Sequence, residues 1–337
     1  MAAVRSVMTT TRTHFLLLHN NKCSSSGCYF LRLNKAFASL CRWPSPKEKS
    51  SSSSSAEETL ARRIASRGGS IGSSSKEFST REEGQSESLE YRIFFSDRTG
   101  RTISPWHDIP LRSSSGDDGD GTLLNFVVEI PKRTKAKMEV ATEEQPYTPI
   151  KQDTKNGKLR YYPQIHCCAQ LFFCRYNINW NYGLLPQTWE DPTHSNPDIE
   201  NTYGDNDPVD IVEIGERQAE VGEVLKVKPL GIFAMIDEGE LDWKVVAISV
   251  DDQKAYLVDD IDDVEIYFPG TLTAIHDWFQ DYKVPDGSPP NRFGLGDKPA
   301  DKATALRVIA ETNAAWANLV KRHDPGEINQ LKPHAET

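Results

Sequence analysis

Short apolar runs fill the middle of this chain, and helical spacing of apolar residues appears only towards its end. Residues 91–96 and 123–130 alternate or run apolar with β-branched and aromatic side chains, a pattern that predicts strands. Residues 221–230, 245–250 and 255–258 read the same way, and a further apolar run covers 230–236. Charged and apolar residues alternate in Lys137-Met138-Glu139-Val140, which sets Lys137 and Glu139 on one strand face; Lys158-Leu159-Arg160-Tyr161 repeats the arrangement. Such alternation is also what the wet face of an ordinary strand looks like. Leu272, Ile275 and Phe279 recur at steps of three and four and predict an amphipathic helix. A longer helix is predicted from Asp301 to about Lys321, with Leu306, Ile309, Ala310, Asn313 and Trp316 along one side. Short strands separated by turn signals and followed by helices predict an α+β fold built on a small β-barrel.

Ahead of these runs the composition changes. Up to about residue 66 the chain is rich in Ser and Thr, carries scattered Lys and Arg, and has no acidic residue before Glu48. It lacks the compact apolar core of a secretory signal, so it reads as an organellar transit peptide, with a disordered cytosolic tail as the plainer alternative. The serine run at 50–55 and the Ser/Gly patch at 68–75 favour a plastid over a mitochondrion. We expect residues 1–85 to be transit segment and unstructured linker, 86–323 the folded domain and 324–337 a tail. A hydrophobic content of 37% agrees with part of the chain lacking a core.

Charge narrows the function. The formal charge is −10, but residues 1–47 hold seven Lys/Arg and no acid, so the remainder sets 32 basic residues against 49 acidic ones, or −17. That remainder is a poor partner for nucleic-acid backbone, which requires cationic surface. No apolar run approaches the roughly 20 residues of a membrane span. The acids are clustered. In Gly204-Asp205-Asn206-Asp207-Pro208-Val209-Asp210, three carboxylates fall within six residues just before an apolar run. Asp205 and Asp207 leave an extended chain on the same face, whereas on a helix they would point about 200° apart. Asp210 has the opposite parity and reaches the same point only if the backbone bends at Pro208. A second cluster, Asp237-Glu238-Gly239-Glu240-Leu241-Asp242 followed by Trp243-Lys244, ends the next apolar run. A solvated acidic turn is the bland reading of either one alone. Converging carboxylates raise one another's pKa, and a hard cation removes that penalty; all-oxygen ligands of high charge suit magnesium or calcium rather than zinc.

The chain from about Tyr91 to Lys321 resembles the family I soluble inorganic pyrophosphatases of eukaryotic type. The resemblance rests on Asp205-Asn206-Asp207-Pro208-Val209-Asp210 and on Phe126-Val127-Val128-Glu129-Ile130-Pro131. It extends to Pro186-Gln187-Thr188-Trp189-Glu190-Asp191-Pro192, to residues 237–244 and to Tyr282-Lys283-Val284-Pro285-Asp286-Gly287. With the Ser-rich leader, it looks like a plant plastid form. The resemblance implies a five-stranded OB-like barrel with flanking helices and a site in its mouth. It also implies magnesium-dependent hydrolysis of pyrophosphate to two orthophosphates. By the same likeness Asp205, Asp210, Asp237 and Asp242 hold several magnesium ions, with Asp210 shared between two. Glu129 joins the metal ligands, Glu139 lines the site, and Asp207 takes a proton from the attacking water. Lys137, Arg160, Tyr182, Lys244, Tyr282 and Lys283 would hold phosphate oxygens, Arg160 and Tyr182 within the catalytic set. The chemistry agrees: pyrophosphate carries three to four negative charges, which divalent ions, Lys and Arg neutralise as the transition state forms. Expected with it are a monomer or homodimer, no nucleic acid, no membrane, and residence in the chloroplast stroma, the mitochondrial matrix being the alternative. A catalytically silent homologue serving as a scaffold is the competing reading.

Two departures from the family pattern stand out. A family tyrosine four residues before Tyr182 is replaced by Ile178, for which Tyr176 is a nearby substitute. Residues 164–175, from Gln164 to Arg175, form a twelve-residue insert holding Cys167, Cys168 and Cys174; the other cysteines, Cys23, Cys28 and Cys41, lie in the leader. The spacing is weak as a zinc site and argues against a disulfide framework. We read the insert as a retained intron or gene-model error.

Overall fold

The structure, a computed structural model, describes residues 77–113, 122–162 and 178–322. The chain divides into the units Met1–Ser70 and Ile71–Thr337, and the described residues all belong to the second. The expected transit segment, the 164–175 insert, Tyr176, all six cysteines and the tail beyond 323 lie outside the described residues.

Nine strands and three helices are labelled in chain order, two-residue strands being left unlabelled. The first strand, β1 (Phe78–Glu83), begins within the stretch for which the sequence indicated no order; it pairs antiparallel with β2 (Arg92–Asp97). Next come β3 (Leu124–Ile130), β4 (Met138–Val140) and β5 (Ile150–Gln152). These are followed by β6 (Asn181–Leu184), β7 (Asp210–Glu213), β8 (Val224–Asp237) and β9 (Glu240–Ser249). The helices are α1 (Ile261–Tyr267), α2 (Thr271–Asp281) and α3 (Lys302–Arg322).

Five of these strands close on themselves. Around the ring, β9 pairs with β7, β7 with β6, β6 with β3, β3 with β8, and β8 returns to β9, so the ladder has no free end. This is the expected five-stranded barrel. Both strand faces are apolar because each meets its own core. Val127, Val212, Phe233, Met235 and Val246 pack with Ile261 of α1 and with Ile275, Trp278 and Phe279 of α2. Phe126, Val128, Ile211, Ile232 and Val245 pack with Ala305, Val308 and Ile309 of α3.

The structure corrects several sequence expectations. The expected runs 221–230 and 230–236 merge into one 14-residue strand, β8, which starts only at Val224 and whose register shifts between Pro229 and Gly231; the bulge accommodates a proline that cannot donate to the ladder. Residues 255–258 are not a strand. Ala255–Leu257 is a 3-10 turn, in which Asp252 accepts from the Lys254 N–H at 2.8 Å and Tyr256 is left 79% exposed. Local side-chain bonding there offered the backbone an alternative to a sheet ladder. The buried face of α3 is also rotated from the expected one: Ala305, Val308, Ile309, Thr312 and Leu319 are buried, Leu306 is half-buried and Ala310 is exposed. Asn313 and Trp316 flank that face, donating to the Gln187 carbonyl and to His107 Nδ1.

Candidate active site

Barrel closure brings the two acid clusters together. Strands β7 and β9 run parallel with Asp210 opposite Lys244, while the β8–β9 hairpin sets Met235 opposite Asp242 and Asp237 opposite Glu240. Side chains two residues apart on a strand share a face, so Asp242 and Lys244 point the same way. The Lys244 ammonium bridges the Asp210 and Asp242 carboxylates, which places both within reach of one cation. Lys244 is only 2% exposed and also lies 5.3 Å from the centre of the Phe279 ring. Tyr182, from β6, donates its hydroxyl to Asp210.

A bulge aims Glu129. Along the β3–β6 ladder the register shifts between Val128 and Ile130, leaving Glu129 as the extra residue. Its buried carboxylate accepts from the Val140 N–H at 2.6 Å. Opposite it stands Gly183, where a Cβ would lie 2.1 Å from the Val127 carbonyl oxygen; only glycine allows this approach.

The segment 204–210 is a stitched loop rather than an extended strand. Its bend comes at Asn206, which has φ 74°, and not at Pro208. Asp205 accepts from the Asp207 N–H at 3.0 Å, and Asn206 accepts from Trp189 Nε1 at 3.0 Å. The Glu190 N–H donates to the Asp207 carbonyl, and the Glu190 carbonyl accepts from the Asn206 N–H. Gly204 presses so closely on this pairing that a Cβ would meet the Glu190 carbonyl carbon at 2.4 Å. Local hydrogen bonding of an Asp-Asn-Asp sequence overrides the extended preference read from spacing alone.

All thirteen residues singled out from the sequence line one of two adjoining cavities, about 240 and 340 Å³, which share Lys137, Tyr182, Asp207 and Asp210. Arg160, Lys244, Lys283, Tyr282, Asp205, Asp237 and Asp242 line the first; Glu129 and Glu139 line the second. Each base meets an acid. Lys283 and Tyr282 bond Asp237 at 2.7 and 2.9 Å, and Lys137 bonds Glu139 at 2.9 Å. Lys137 and Arg160 both bond Asp153, at 2.8 and 2.9 Å. The side chain of Asp207 makes no hydrogen bond among the described residues. Ile178, at the departure from the family pattern, is a buried core residue that brings no oxygen to the site.

Two acids escaped the sequence reading. Glu190 is 3% exposed, accepts from the Trp243 N–H at 2.8 Å through Oε1, and leaves Oε2 buried without a partner among the described residues. Carboxylate oxygens of Glu190, Asp205 and Asp242 lie within 4.8 Å of one another. Asp153 sits behind the bases. The signal for Glu190 was a charge inside the run Thr188-Trp189-Glu190; Asp153 carried none.

The electrostatics call for cations. Burial, then the charges of Asp205 and Asp242, pushes Glu190 well up, and burial with Asp242 and Asp207 does the same to Asp205. Asp242 is raised to about 7, mainly by burial and by Asp210, against the pull of Lys244. Asp207 opens to solvent at the cavity wall, yet enclosure and the charges of Asp210 and Glu139 raise it to about 7. Lys244 goes the other way from burial's pull, held charged by Asp210 and Asp242. An all-oxygen donor set with a buried, unpartnered carboxylate oxygen fits a hard divalent cation.

The comparisons agree with this geometry. The family model described as Inorganic pyrophosphatase matches residues 126–317. The chain is 65% identical over 249 residues to soluble inorganic pyrophosphatase 6, chloroplastic, of Arabidopsis thaliana, covering 74% of this chain and 77% of that one. It is 54% identical to soluble inorganic pyrophosphatase 1, chloroplastic, of Chlamydomonas reinhardtii, covering 72% and 79%. Among solved structures, the truncated Trypanosoma cruzi vacuolar soluble pyrophosphatase in complex with PPi superposes with a TM-score of 0.65 at 42% identity, over 72% of this chain and 91% of that one. The fold, the acid clusters and these matches together place the chain in the inorganic pyrophosphatase family, among the eukaryotic family I enzymes.

Proposed function

We propose that the protein hydrolyses inorganic pyrophosphate to two orthophosphates with magnesium held by Asp205, Asp210, Asp237, Asp242 and Glu129. The observation that supports it best is the convergence of those acids with Lys137, Arg160, Lys244 and Lys283 around adjoining cavities. An acid cluster alone would bind cations, and a basic cluster alone would bind anions. Interleaved, they suit a highly charged anion that arrives with its metal ions.

Magnesium bound there would set positive charge against the phosphate oxygens and acidify water at the cluster. The chain's own residues do the rest. Asp207, unlike Asp210, has no bonded cation or hydroxyl among the described residues, which leaves its carboxylate available to take the proton of the attacking water. Arg160 suits a two-pronged grip on phosphate, while Lys137, Lys244 and Lys283 act as point charges. Tyr182 and Tyr282, both held well above the usual phenol range by burial and then by Asp210 and Asp237 respectively, stay protonated and donate. Glu139 holds Lys137 in place.

The chloroplastic relatives support a plastid protein, and we place it in the stroma. No helix among the described residues is long and apolar enough to cross a membrane. Hydrolysis in ¹⁸O-labelled water tests the reaction: one labelled oxygen should enter per pyrophosphate consumed, with two orthophosphates released. Absence of label or of phosphate release from a folded, magnesium-supplied preparation would reject the reading.

A further inference from the structure

We propose that Asp153, a residue outside the cavity lining, is a positioning residue that holds Lys137 and Arg160 as a fork against one phosphate group; this rests on the pyrophosphatase reading above. One carboxylate oxygen, Asp153 Oδ2, accepts from Lys137 Nζ at 2.8 Å and from Arg160 Nη1 at 2.9 Å. The Asp153 side chain is 15% exposed, so both bonds sit in a partly desolvated setting where they are stronger than at an open surface.

The backbone ties the same three residues together. Asp153 N–H donates to the Lys137 carbonyl, Arg160 N–H donates to the Asp153 carbonyl, and Lys137 N–H donates to the Arg160 carbonyl. Between Asp153 and Arg160 runs a tight hairpin, Thr154–Lys155 paired with Lys158–Leu159, turned by Asn156 and Gly157 in left-handed conformations. Asp153 and Arg160 are therefore the two feet of one hairpin, and Lys137 is the adjoining chain. Near the tip, Lys155 bonds Asp286 at 2.7 Å, fastening the hairpin to the segment that follows Tyr282 and Lys283.

Donor arithmetic explains what the fork does. A lysine ammonium has three N–H donors and a guanidinium five. Lys137 commits one to Asp153 and one to Glu139, and Arg160 commits Nη1 to Asp153. Both cations keep free donors for phosphate while their stems are fixed. Without Asp153, two long side chains of like charge would share one wall, repelling each other and free to swing away. Each phosphate contact would then have to order its own side chain, and the loss would fall on substrate affinity rather than on the chemical step.

The experiment compares wild type, Asp153→Ala, Arg160→Ala and the double variant in phosphate release from magnesium pyrophosphate. Thermal unfolding is measured on each. For Asp153→Ala we expect KM to rise about tenfold, kcat to change less than about threefold, and the magnesium concentration for half-activation to stay put. In the Arg160→Ala background the same substitution should raise KM by less than about threefold, because one of the two prongs it holds is gone and only Lys137 is left to position. An unchanged KM, an equal factor in both backgrounds, or a fall in kcat alone would overturn the assignment. Should Asp153→Ala fail to fold, Asp153→Asn, which keeps one acceptor oxygen, carries the test: KM should rise, and an unchanged value would overturn it. An inactive wild type would instead sink the pyrophosphatase reading itself.

Discussion

Asp207 and Asp210 stand three residues apart and have opposite surroundings. Asp210 is gripped by Tyr182 and Lys244, whereas the Asp207 carboxylate opens into the cavity. On the proposed reading the two have different work, and different losses are predicted. Asp207→Asn should lower kcat by about 10²–10⁴, the usual contribution of a positioned base, with the magnesium requirement little altered. Steady-state rates across a magnesium series check this; a kcat within a few-fold of wild type would remove Asp207 from the proton-taking role. Asp242 predicts a pH effect. It is 6% exposed and raised from 3.8 to about 7, so between those values the folded protein binds its proton more tightly than the unfolded chain does. Stability from this group is full below about pH 4 and is lost as pH rises through about 7. In chelator, the unfolding midpoint should therefore fall across that window, and added magnesium should restore most at the alkaline end. Thermal melts from pH 4 to 8 with and without magnesium measure it; a metal-free midpoint that rises steadily with pH would contradict the assignment.

At the level of elements, the barrel depends on close approaches that tolerate little. Gly183→Ala puts a methyl group against the Val127 carbonyl where β6 meets β3, and should cost about 1–3 kcal/mol or more through overpacking. Because Glu129 sits at the same bulge, activity should fall with stability, which chemical denaturation and rate measurements on one preparation can show. The helices depend on a shared cap. Asp260 accepts from the Ile261 N–H of α1 at 2.7 Å and from the Lys302 N–H of α3 at 3.1 Å, so Asp260→Ala should cost about 1–2 kcal/mol while leaving KM unchanged. What the sequence disclosed follows the reach of its signals. Helical periodicity located α2 and α3, and apolar runs located β2, β3 and β9, because those patterns extend over several residues. Short features were harder to read. The seven-residue α1 is marked only by Asp260 and Asp263 of its capping box, and the bulge at Pro229 made one strand look like two. In the site, the charged members of recurrent motifs were legible. Glu190 and Asp153 were not, because they act through backbone amides and other side chains, and spacing along the chain does not record which partner a carboxylate will meet.

Across the molecule, the acidic balance of the folded part and the ring of acids at the cavities have one physical consequence. On the proposed reading, free pyrophosphate would meet more repulsion there than its metal complex, which would make the metal ions as much part of recognition as the basic residues. The barrel supplies the geometry: loop 204–210, the β8–β9 turn, the bulge in β3 and the hairpin ending at Arg160 come from distant parts of the chain, and ring closure fixes them about one space. Relatives in a land plant and a green alga that carry chloroplastic names agree with the Ser-rich leader, and removing pyrophosphate there would draw the biosynthetic reactions that release it forward. The most direct test of the central claim is the initial rate of phosphate release from pyrophosphate as magnesium is raised from zero, for wild type and for Asp210→Asn. The account predicts no rate without magnesium, a saturating rise for wild type, and a rate at least about a hundredfold lower for the variant at saturation. A wild-type rate independent of magnesium, or an Asp210→Asn enzyme as fast as wild type, would contradict it.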